Sequence, residues 1–151
     1  MTTATTATTA TIDLDRIAQL QKRLNLARFL DCLPSEIEEG YDDCTFEYGG
    51  SDYKVYNDDE ADEACKEYVE QSLWAFNADF LSGETGIDCI VFLRLSELSE
   101  SANDAILAIV TATCGLDDIV KSAVSSDGRG HYLSSYDGEE WVYNGQFIYR
   151  I

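Results

Sequence analysis

Residues 126–150 read SDGRGHYLSSYDGEEWVYNGQFIYR, and this stretch decides how the chain ends. Its last part places Asn144-Gly145 between two β-prone runs, WVY and QFIYR. Asn-Gly is the strongest short-range hairpin signal, because both central residues of a type I′ turn need φ > 0. We therefore predict a C-terminal β-hairpin. It is preceded by an ordered, glycine-rich loop over residues 126–140 that holds His131, the only histidine of the chain.

A second hairpin is predicted upstream, where the runs TFEY and DYKVY flank Gly49-Gly50-Ser51. Aromatic and β-branched residues give both runs their strand character. The two hairpins lie far apart in sequence. One antiparallel sheet with helices on one face is the economical way to bury both of them.

Helical patterns fill the rest of the chain. In residues 12–33 the apolar stripe shifts at Asn25, which predicts either one helix buried on two sides or two helices with Asn25 capping the second. The clearest helix spans residues 57–81, and Asn57 with Glu60 forms a capping-box pattern at its start.

Three shorter helices are expected after a linker at residues 82–86. The run 89–95 is predicted to be a short buried helix, a second helix ends at Gly115, and a third covers 117–125. The predicted fold is thus α+β: a single domain at residues 12–151, with about five helices on one face of a small antiparallel sheet built from two hairpins. Residues 1–11 repeat Thr and Ala and are expected to form a disordered tail.

The composition is strongly acidic, with 29 Asp and Glu against 10 Lys and Arg, a formal charge of -19. Nucleic acids and anionic membranes are bound through clusters of Lys and Arg, so we expect no direct contact with either. No run approaches the roughly 18 apolar residues of a membrane span. The five cysteines include no CxxC pair and are expected to be reduced and mostly buried. The composition thus predicts an intracellular protein, and the expected partner is a protein with a basic surface.

The acidic residues concentrate in residues 36–70, where fourteen carboxylates face only Lys54 and Lys66. On a helix that rises ~1.5 Å per residue, carboxylates every three or four residues lie roughly 5 Å apart. Duplex DNA presents one charge per ~1.7 Å of axis, so several such rows would imitate a phosphate track. The alternative is a solvated helix face that only aids solubility. The candidate partner-binding residues are Asp59, Glu60, Glu63, Glu67, Glu70 and Trp74.

The loop before the last hairpin is the candidate site if the protein is an enzyme. It brings together an acid, a cation, an imidazole and a phenol, which is enough for general acid–base chemistry. The residues concerned are Asp127, Arg129, His131, Tyr136 and Asp137. No nucleophile elbow, phosphate-binding loop or HExxH motif is present, so catalysis is not favoured. In the structural alternative, Arg129 pairs with a local carboxylate and His131 donates a hydrogen bond that fixes the loop.

Metal and cofactor sites are not expected. The acidic run NDDEADEA lacks the central glycine and the alternating acids of an EF-hand loop. The one histidine lies far in sequence from most of the cysteines, so a Cys/His zinc site is not favoured either.

Four segments carry a resemblance to known proteins. They are YKVYNDDEADEA (53–64), SLWAFNADFL (72–81), SANDAILAIV (101–110) and DGRGHYLSSYDGEE (127–140) with its closing IYR. These segments resemble a family of small acidic proteins encoded by bacteriophages and prophages, most strongly in DGRGH and over most of the chain from about Tyr41 onward. The family has no established activity, so no functional residue is carried over. The resemblance implies a phage accessory protein in the bacterial cytoplasm.

The acidic segment and the phage context favour one function. We expect a non-enzymatic accessory protein that inhibits a host nucleic-acid-binding defence factor, part of a restriction or CRISPR system, by imitating DNA. The alternatives are a small enzyme with its site in residues 127–137, and a structural or assembly protein of the virion. A homodimer is compatible with the sequence, which does not decide the oligomeric state or the burial of Trp74.

Overall fold

The computed structural model describes residues 13–151. The tail predicted for residues 1–11 lies outside these described residues. The helices are α1 (Leu14–Leu30), α2 (Asp58–Ser72), α3 (Ala78–Thr85), α4 (Cys89–Ser96), α5 (Asn103–Ala112), α6 (Leu116–Asp127) and α7 (Arg129–Leu133), with short 3-10 segments at Pro34–Glu36, Leu73–Ala75 and Ser99–Ala102. The strands are β1 (Glu38–Glu39), β2 (Thr45–Tyr48), β3 (Ser51–Tyr56), β4 (Trp141–Tyr143) and β5 (Gln146–Arg150), and they form one antiparallel sheet in the order β1-β2-β3-β5-β4.

Both predicted hairpins are present, and the α+β class is confirmed. Strands β4 and β5 are joined by Asn144 and Gly145, whose φ angles of 50° and 77° match the turn that Asn-Gly favours. Gly49 and Gly50 connect β2 to β3 with φ angles of 59° and 76°. Pairing of β3 with β5 then joins the two hairpins into one sheet. Strand β1 adds a fifth strand that the sequence pattern did not predict.

The number of helices differs from the prediction, because residues 57–81 do not form one helix. Helix α2 ends at Ser72, a 3-10 turn follows, and Asn77 begins a new helix by accepting hydrogen bonds from the backbone N–H groups of Asp79 and Phe80. Residues 82–86, predicted as a linker, mostly belong to α3, which ends at Gly86 with φ 74°. The described residues therefore contain seven α-helices rather than about five.

The glycine-rich segment before the last hairpin is partly helical. Gly128, at φ 79°, ends α6, and the short helix α7 follows at once. The segment predicted as an ordered loop over residues 126–140 therefore contains a short helix, Arg129–Leu133.

Helices flank both faces of the sheet, which corrects the prediction of helices on one face. Ile148 packs in a core with Leu26 of α1, together with Val55 of β3. Successive strand residues point to opposite faces, so Tyr149 points away from α1. Its hydroxyl group donates to Glu140, which also binds Arg129 beside α2. Helices can pack on both faces of the sheet because Ile148 and Tyr149, at consecutive positions of β5, are both large and buried.

A second apolar core lies among helices α2 to α7, away from α1. Helix α4 was predicted to be a short buried helix. It is a helix, but Ile90, Val91 and Leu93 are exposed and only Phe92 is buried. The prediction of burial is therefore wrong for most of its apolar residues.

Helix α1 is one continuous helix, which settles the alternatives at Asn25. The Asn25 side chain is buried and donates to Gln146 Oε1 at 2.9 Å, so it anchors α1 to β5 instead of capping a second helix. Only the C-terminal half of α1 is buried on the sheet, and Leu14, Ile17 and Leu20 remain exposed.

Candidate functional site

Helix α2 carries all five predicted partner-binding carboxylates, and its first turn is built as the sequence predicts. Asn57 Oδ1 accepts from the Glu60 N–H at 2.8 Å, and Glu60 Oε2 accepts from the Asn57 N–H at 2.8 Å. The other carboxylate oxygen of Glu60 lies 2.7 Å from Lys22 Nζ, whose side chain is only 5% exposed. Glu60 is thus engaged within the fold.

Of the four other predicted partner-binding carboxylates on α2, three are exposed. Asp59, Glu63 and Glu67 follow one another at intervals of four residues, so they form a stripe with a spacing of ~6 Å along the helix axis. Glu70 continues the stripe in partly buried surroundings, and its backbone carbonyl accepts from the Asn103 side chain. We call Asp59, Glu63 and Glu67 the α2 stripe.

Trp74 does not belong to the α2 stripe. Helix α2 has already ended, and Trp74 lies in the 3-10 segment that follows, partly buried against the helical core. Its backbone N–H donates to Asn103 Oδ1 at 3.2 Å. The residue is therefore a packed aromatic side chain.

Internal ion pairs interrupt the acidic segment. Five of the fourteen carboxylates in residues 36–70 pair with basic side chains within the described chain: Glu39 with Arg16 and Arg23, Asp42 with Lys54, Asp58 and Asp62 with Arg129, and Glu60 with Lys22. The carboxylates that remain unpaired are therefore fewer than the composition suggests.

Three unpaired carboxylates form a row across the sheet. Glu38 of β1 lies directly opposite Glu47 of β2, and Glu47 lies opposite Asp52 of β3. Adjacent strands are ~4.8 Å apart, so three negative charges stand side by side on one face. All three residues are exposed, and none of them forms an ion pair within residues 13–151. We call Glu38, Glu47 and Asp52 the sheet row.

Sequence reasoning missed the sheet row, although part of the signal was present. The predicted hairpin around Gly49-Gly50 places Glu47 opposite Asp52 once its two-residue turn is fixed. Glu38 was not detectable, because a strand of two residues has no periodicity to read.

Arg129 is the most highly connected of the predicted enzymatic residues. Its side chain is 11% exposed, and it binds Asp58 at 2.9 Å, Asp62 at 2.8 Å and Glu140 at 3.0 Å. The guanidinium carbon also lies 4.2 Å from the centre of the Phe147 ring. With its donors engaged by three carboxylates, Arg129 joins α7 to α2 and to the last hairpin.

The carboxylate of Glu140 is shared. Besides Arg129, it accepts a short hydrogen bond from the hydroxyl group of Tyr149, which is fully buried. Burial and this hydrogen bond raise the pKa of Tyr149 above its usual range. The phenol therefore stays protonated and serves as a donor.

Tyr136 and Asp137 have separate structural contacts. Asp137 Oδ1 accepts from the Glu139 N–H at 3.0 Å and from the Ser134 hydroxyl at 2.8 Å, and these bonds lower its pKa. The Tyr136 ring lies 3.7 Å from the guanidinium carbon of Arg150. These contacts fix the approach to β4 without placing either side chain next to His131.

Asp127 and His131 meet at a cavity of about 380 Å³ between α2, α3, α6 and α7. Its lining residues are Tyr68, Ser72, Ala75, Phe76, Asn77, Phe80, Ala123, Ser126, Asp127, His131 and Tyr132. Within the described residues no hydrogen bond joins His131 to Asp127 or Asp137. The His131 ring instead meets the Tyr132 ring edge-on at 4.8 Å. Of the five residues proposed for an enzyme, the fold thus brings only Asp127 and His131 together at one cavity.

The cysteines and the acidic side chains are potential metal ligands of the chain. In the part of the chain that the structure describes, no three His, Cys, Asp or Glu side chains are arranged to hold a metal ion. All five cysteines are free, and only Cys65 is fully buried, which raises the pKa of its thiol to about 11. The expectation of mostly buried cysteines holds for Cys65 alone.

Fold and site together define a small acidic α+β protein with a carboxylate row on its sheet and an aromatic cavity among its helices. Comparisons with protein-family models, with curated proteins and with solved structures give no match for this chain. Among residues 13–151, no helix combines the length and the apolar composition that crossing a membrane requires.

Proposed function

We propose that the protein is a non-enzymatic phage accessory factor that binds and inhibits a host nucleic-acid-binding defence protein, of a restriction or CRISPR system, through an acidic surface that imitates DNA. The phage context rests on the resemblance of four sequence segments. The binding mode rests on the arrangement of the carboxylates. The bacterial cytoplasm is the compartment in which such a partner would be met.

The sheet row is the observation that carries the proposal. Like charges directly opposite each other on adjacent strands destabilise a sheet, by about 0.2–1 kcal/mol for each pair. Glu38, Glu47 and Asp52 form two such pairs, and within residues 13–151 none of the three is paired with a basic side chain, since Lys54 on the same face binds Asp42. A fold that keeps this arrangement is poorly optimised for stability there, which is typical of a surface selected for binding.

The net charge of the whole chain adds a long-range attraction for a basic partner to the local effect of the sheet row. A formal charge of -19 creates a negative potential that attracts a basic channel and speeds its association. The α2 stripe adds three carboxylates at a regular spacing. Because exposed charges are screened over ~8 Å at physiological salt, the affinity should fall steeply as salt is raised.

The test is capture of a partner followed by competition. The tagged chain is incubated with a bacterial lysate, and captured proteins are identified and examined for binding of duplex DNA. The expected result is a nucleic-acid-binding protein that duplex DNA displaces and that salt releases. Recovery of no nucleic-acid-binding protein, or of one that duplex DNA does not displace, would overturn the proposal.

Two matched variants locate the surface. The triple variant Glu38→Gln, Glu47→Gln, Asp52→Asn neutralises the sheet row. The control, Glu97→Gln, Glu100→Gln, Asp104→Asn, changes the net charge equally at exposed positions elsewhere. We expect the first variant to weaken partner binding at least tenfold and the control to change it by less than about threefold. An equal loss of affinity in both variants would show that binding depends only on the net charge of the protein, and the sheet row would not be the binding site.

A further inference from the structure

The aromatic cavity is not used by the proposed function. Four rings form its wall: Tyr68 of α2, Phe76 before α3, Phe80 of α3 and Tyr132 of α7. Its volume of about 380 Å³ lies within the range of ~300–1,000 Å³ that is usual for small-molecule sites.

The rings are packed against one another and hold each other in place. Phe76 and Tyr132 are nearly parallel, with centroids 6.2 Å apart and an interplanar angle of 6°. Phe76 also contacts Phe80 at 5.7 Å, and Tyr68 contacts Tyr132 at 5.9 Å. The face of an aromatic ring carries negative electrostatic potential, so a wall of fixed rings attracts a cation that has lost part of its water.

A carboxylate stands at the edge of this wall. Asp127 Oδ2 accepts from the Tyr132 hydroxyl at 3.0 Å, and Asp127 Oδ1 accepts from the Ser126 hydroxyl at 3.2 Å. Both donors are neutral, and within residues 13–151 Asp127 forms no ion pair. Its negative charge is therefore oriented by hydrogen bonds and left without a counter-ion.

The C-terminal end of α6 adds to the negative potential at the cavity. Asp127 is the last residue of this twelve-residue helix, and the C-terminal end of a helix carries a partial negative charge that favours cations. His131 also lines the cavity, and an imidazole nitrogen that carries no proton can accept a hydrogen bond from an ammonium group.

We propose that the aromatic cavity binds a small organic ammonium ion whose apolar body is about the size of one aromatic ring. The rings contact the apolar body and the face of the cation, and Asp127 pairs with the ammonium group. The charge of -19 on the whole chain raises the local concentration of such ions. This proposal is independent of the sheet row and of any protein partner.

The test uses two probes of similar shape and different charge, phenethylammonium and 2-phenylethanol. Each is titrated into the full chain labelled with ¹⁵N, and amide shifts are followed by NMR. We expect phenethylammonium to give saturable shifts confined to Phe76, Phe80, His131 and their neighbours. The neutral alcohol should bind about tenfold more weakly, the effect expected for one partly solvated charge pair.

Two variants test the role of the carboxylate. Asp127→Asn keeps an oxygen that can accept from the Tyr132 hydroxyl, so the cavity should stay folded while it loses its charge. It should weaken phenethylammonium binding about tenfold and leave binding of the alcohol unchanged. Asp104→Asn, at an exposed position on α5, should change neither.

A third variant covers the case in which Asp127→Asn disturbs the fold. Phe80→Leu removes one ring of the wall while keeping an apolar side chain, and it should weaken phenethylammonium binding without changing the charge. The proposal is overturned if phenethylammonium gives no saturable shifts at millimolar concentration, if its shifts lie outside the cavity, or if the alcohol binds equally well. It is also overturned if Asp127→Asn, in a folded protein, behaves like Asp104→Asn.

Discussion

Arg129 and Asp62 are 67 residues apart in sequence, and Arg129 Nη1 lies 2.8 Å from Asp62 Oδ1. The same guanidinium group binds Asp58 of α2 and Glu140 before β4, and it lies over the ring of Phe147 in β5. One side chain therefore holds the helical layer, the short helix α7 and the C-terminal hairpin together. The glycines on either side of Arg129 help to position this cation.

Removal of the Arg129 charge should be strongly destabilising. Arg129→Met leaves three carboxylates without a cation, and we expect a loss of about 2–3 kcal/mol, less than for a fully buried pair because Asp58 and Asp62 are solvated. Arg129→Lys keeps the charge but cannot bind several carboxylates with one planar group, so its loss should be intermediate. Urea denaturation measures the stability of both variants. If Arg129→Met unfolded at the same urea concentration as the wild type, the contacts of Arg129 would contribute nothing to stability.

Gly130 should not tolerate a side chain. A Cβ atom at this position would collide with the backbone of Gly138 and lie 2.8 Å from the carbonyl carbon of Glu139, and backbone atoms cannot move aside. We expect Gly130→Ala to lower the free energy of unfolding by about 2–3 kcal/mol. Gly83→Ala is the matched control, because this helical position has open space and should gain about 0.5 kcal/mol. Thermal unfolding should show a lower midpoint temperature for Gly130→Ala and a slightly higher one for Gly83→Ala than for the wild type.

Breaking the Lys22–Glu60 ion pair should cost more stability when Glu60 is replaced than when the buried Lys22 is replaced. Burial alone would lower the pKa of Lys22, but hydrogen bonds to Glu60 and Cys44 outweigh it and raise the pKa. Glu60→Gln keeps the capping box but leaves a buried ammonium group without its carboxylate, for an expected loss of about 2 kcal/mol. Lys22→Met should cost less, about 1 kcal/mol or below, because it leaves a partly solvated carboxylate. Chemical denaturation at neutral pH measures both, and an equal loss would contradict this account.

The Asp42–Lys54 pair should contribute to acid unfolding. Burial would raise the pKa of Asp42, but hydrogen bonds from Lys54, Thr45 and the Cys44 N–H lower it below 3.8. The unfolded chain therefore takes up the proton first as the pH falls. The stabilisation is complete above about pH 4 and is lost as the pH drops through the folded-state pKa.

The predicted loss of this stabilisation in acid can be checked with one variant of Asp42 and one of Lys54. The difference in unfolding free energy between wild type and Asp42→Asn should be constant near neutral pH and shrink in acid. Lys54→Met should show the same acid dependence, because Lys54 donates the bond that lowers the Asp42 pKa. A difference that does not change down to pH 2 would refute the assignment.

Neutralising the sheet row should stabilise the protein while it weakens partner binding. The triple variant Glu38→Gln, Glu47→Gln, Asp52→Asn removes two cross-strand repulsions, for an expected gain of about 1 kcal/mol in the free energy of unfolding. The control Glu97→Gln, Glu100→Gln, Asp104→Asn should gain less, since it also removes the Arg94–Glu97 ion pair and the negative charge of Asp104 in the first turn of α5. Urea denaturation at low salt measures both. A loss of stability in the sheet-row variant would mean that these carboxylates make favourable contacts.

Elements with local sequence signals could be predicted before the fold was known. Asn144-Gly145 and Gly49-Gly50 specify their turns through backbone conformations that few residues adopt, and Asn57 with Glu60 specifies the start of α2. The α+β class follows from these elements. The interruption at Leu73–Ala75 was not visible, because apolar spacing continues through the break while the chain changes direction.

The tertiary structure alone decided which carboxylates remain free. Composition counts Glu60, Asp58 and Asp62 with the rest of the acidic segment, but Lys22 and Arg129 reach them from 38 and up to 71 residues away. The sheet row forms because three strands place Glu38, Glu47 and Asp52 in one register. Long-range pairing brings together residues whose sequence spacing carries no signal, so the sheet row and the aromatic cavity appear only in the folded chain.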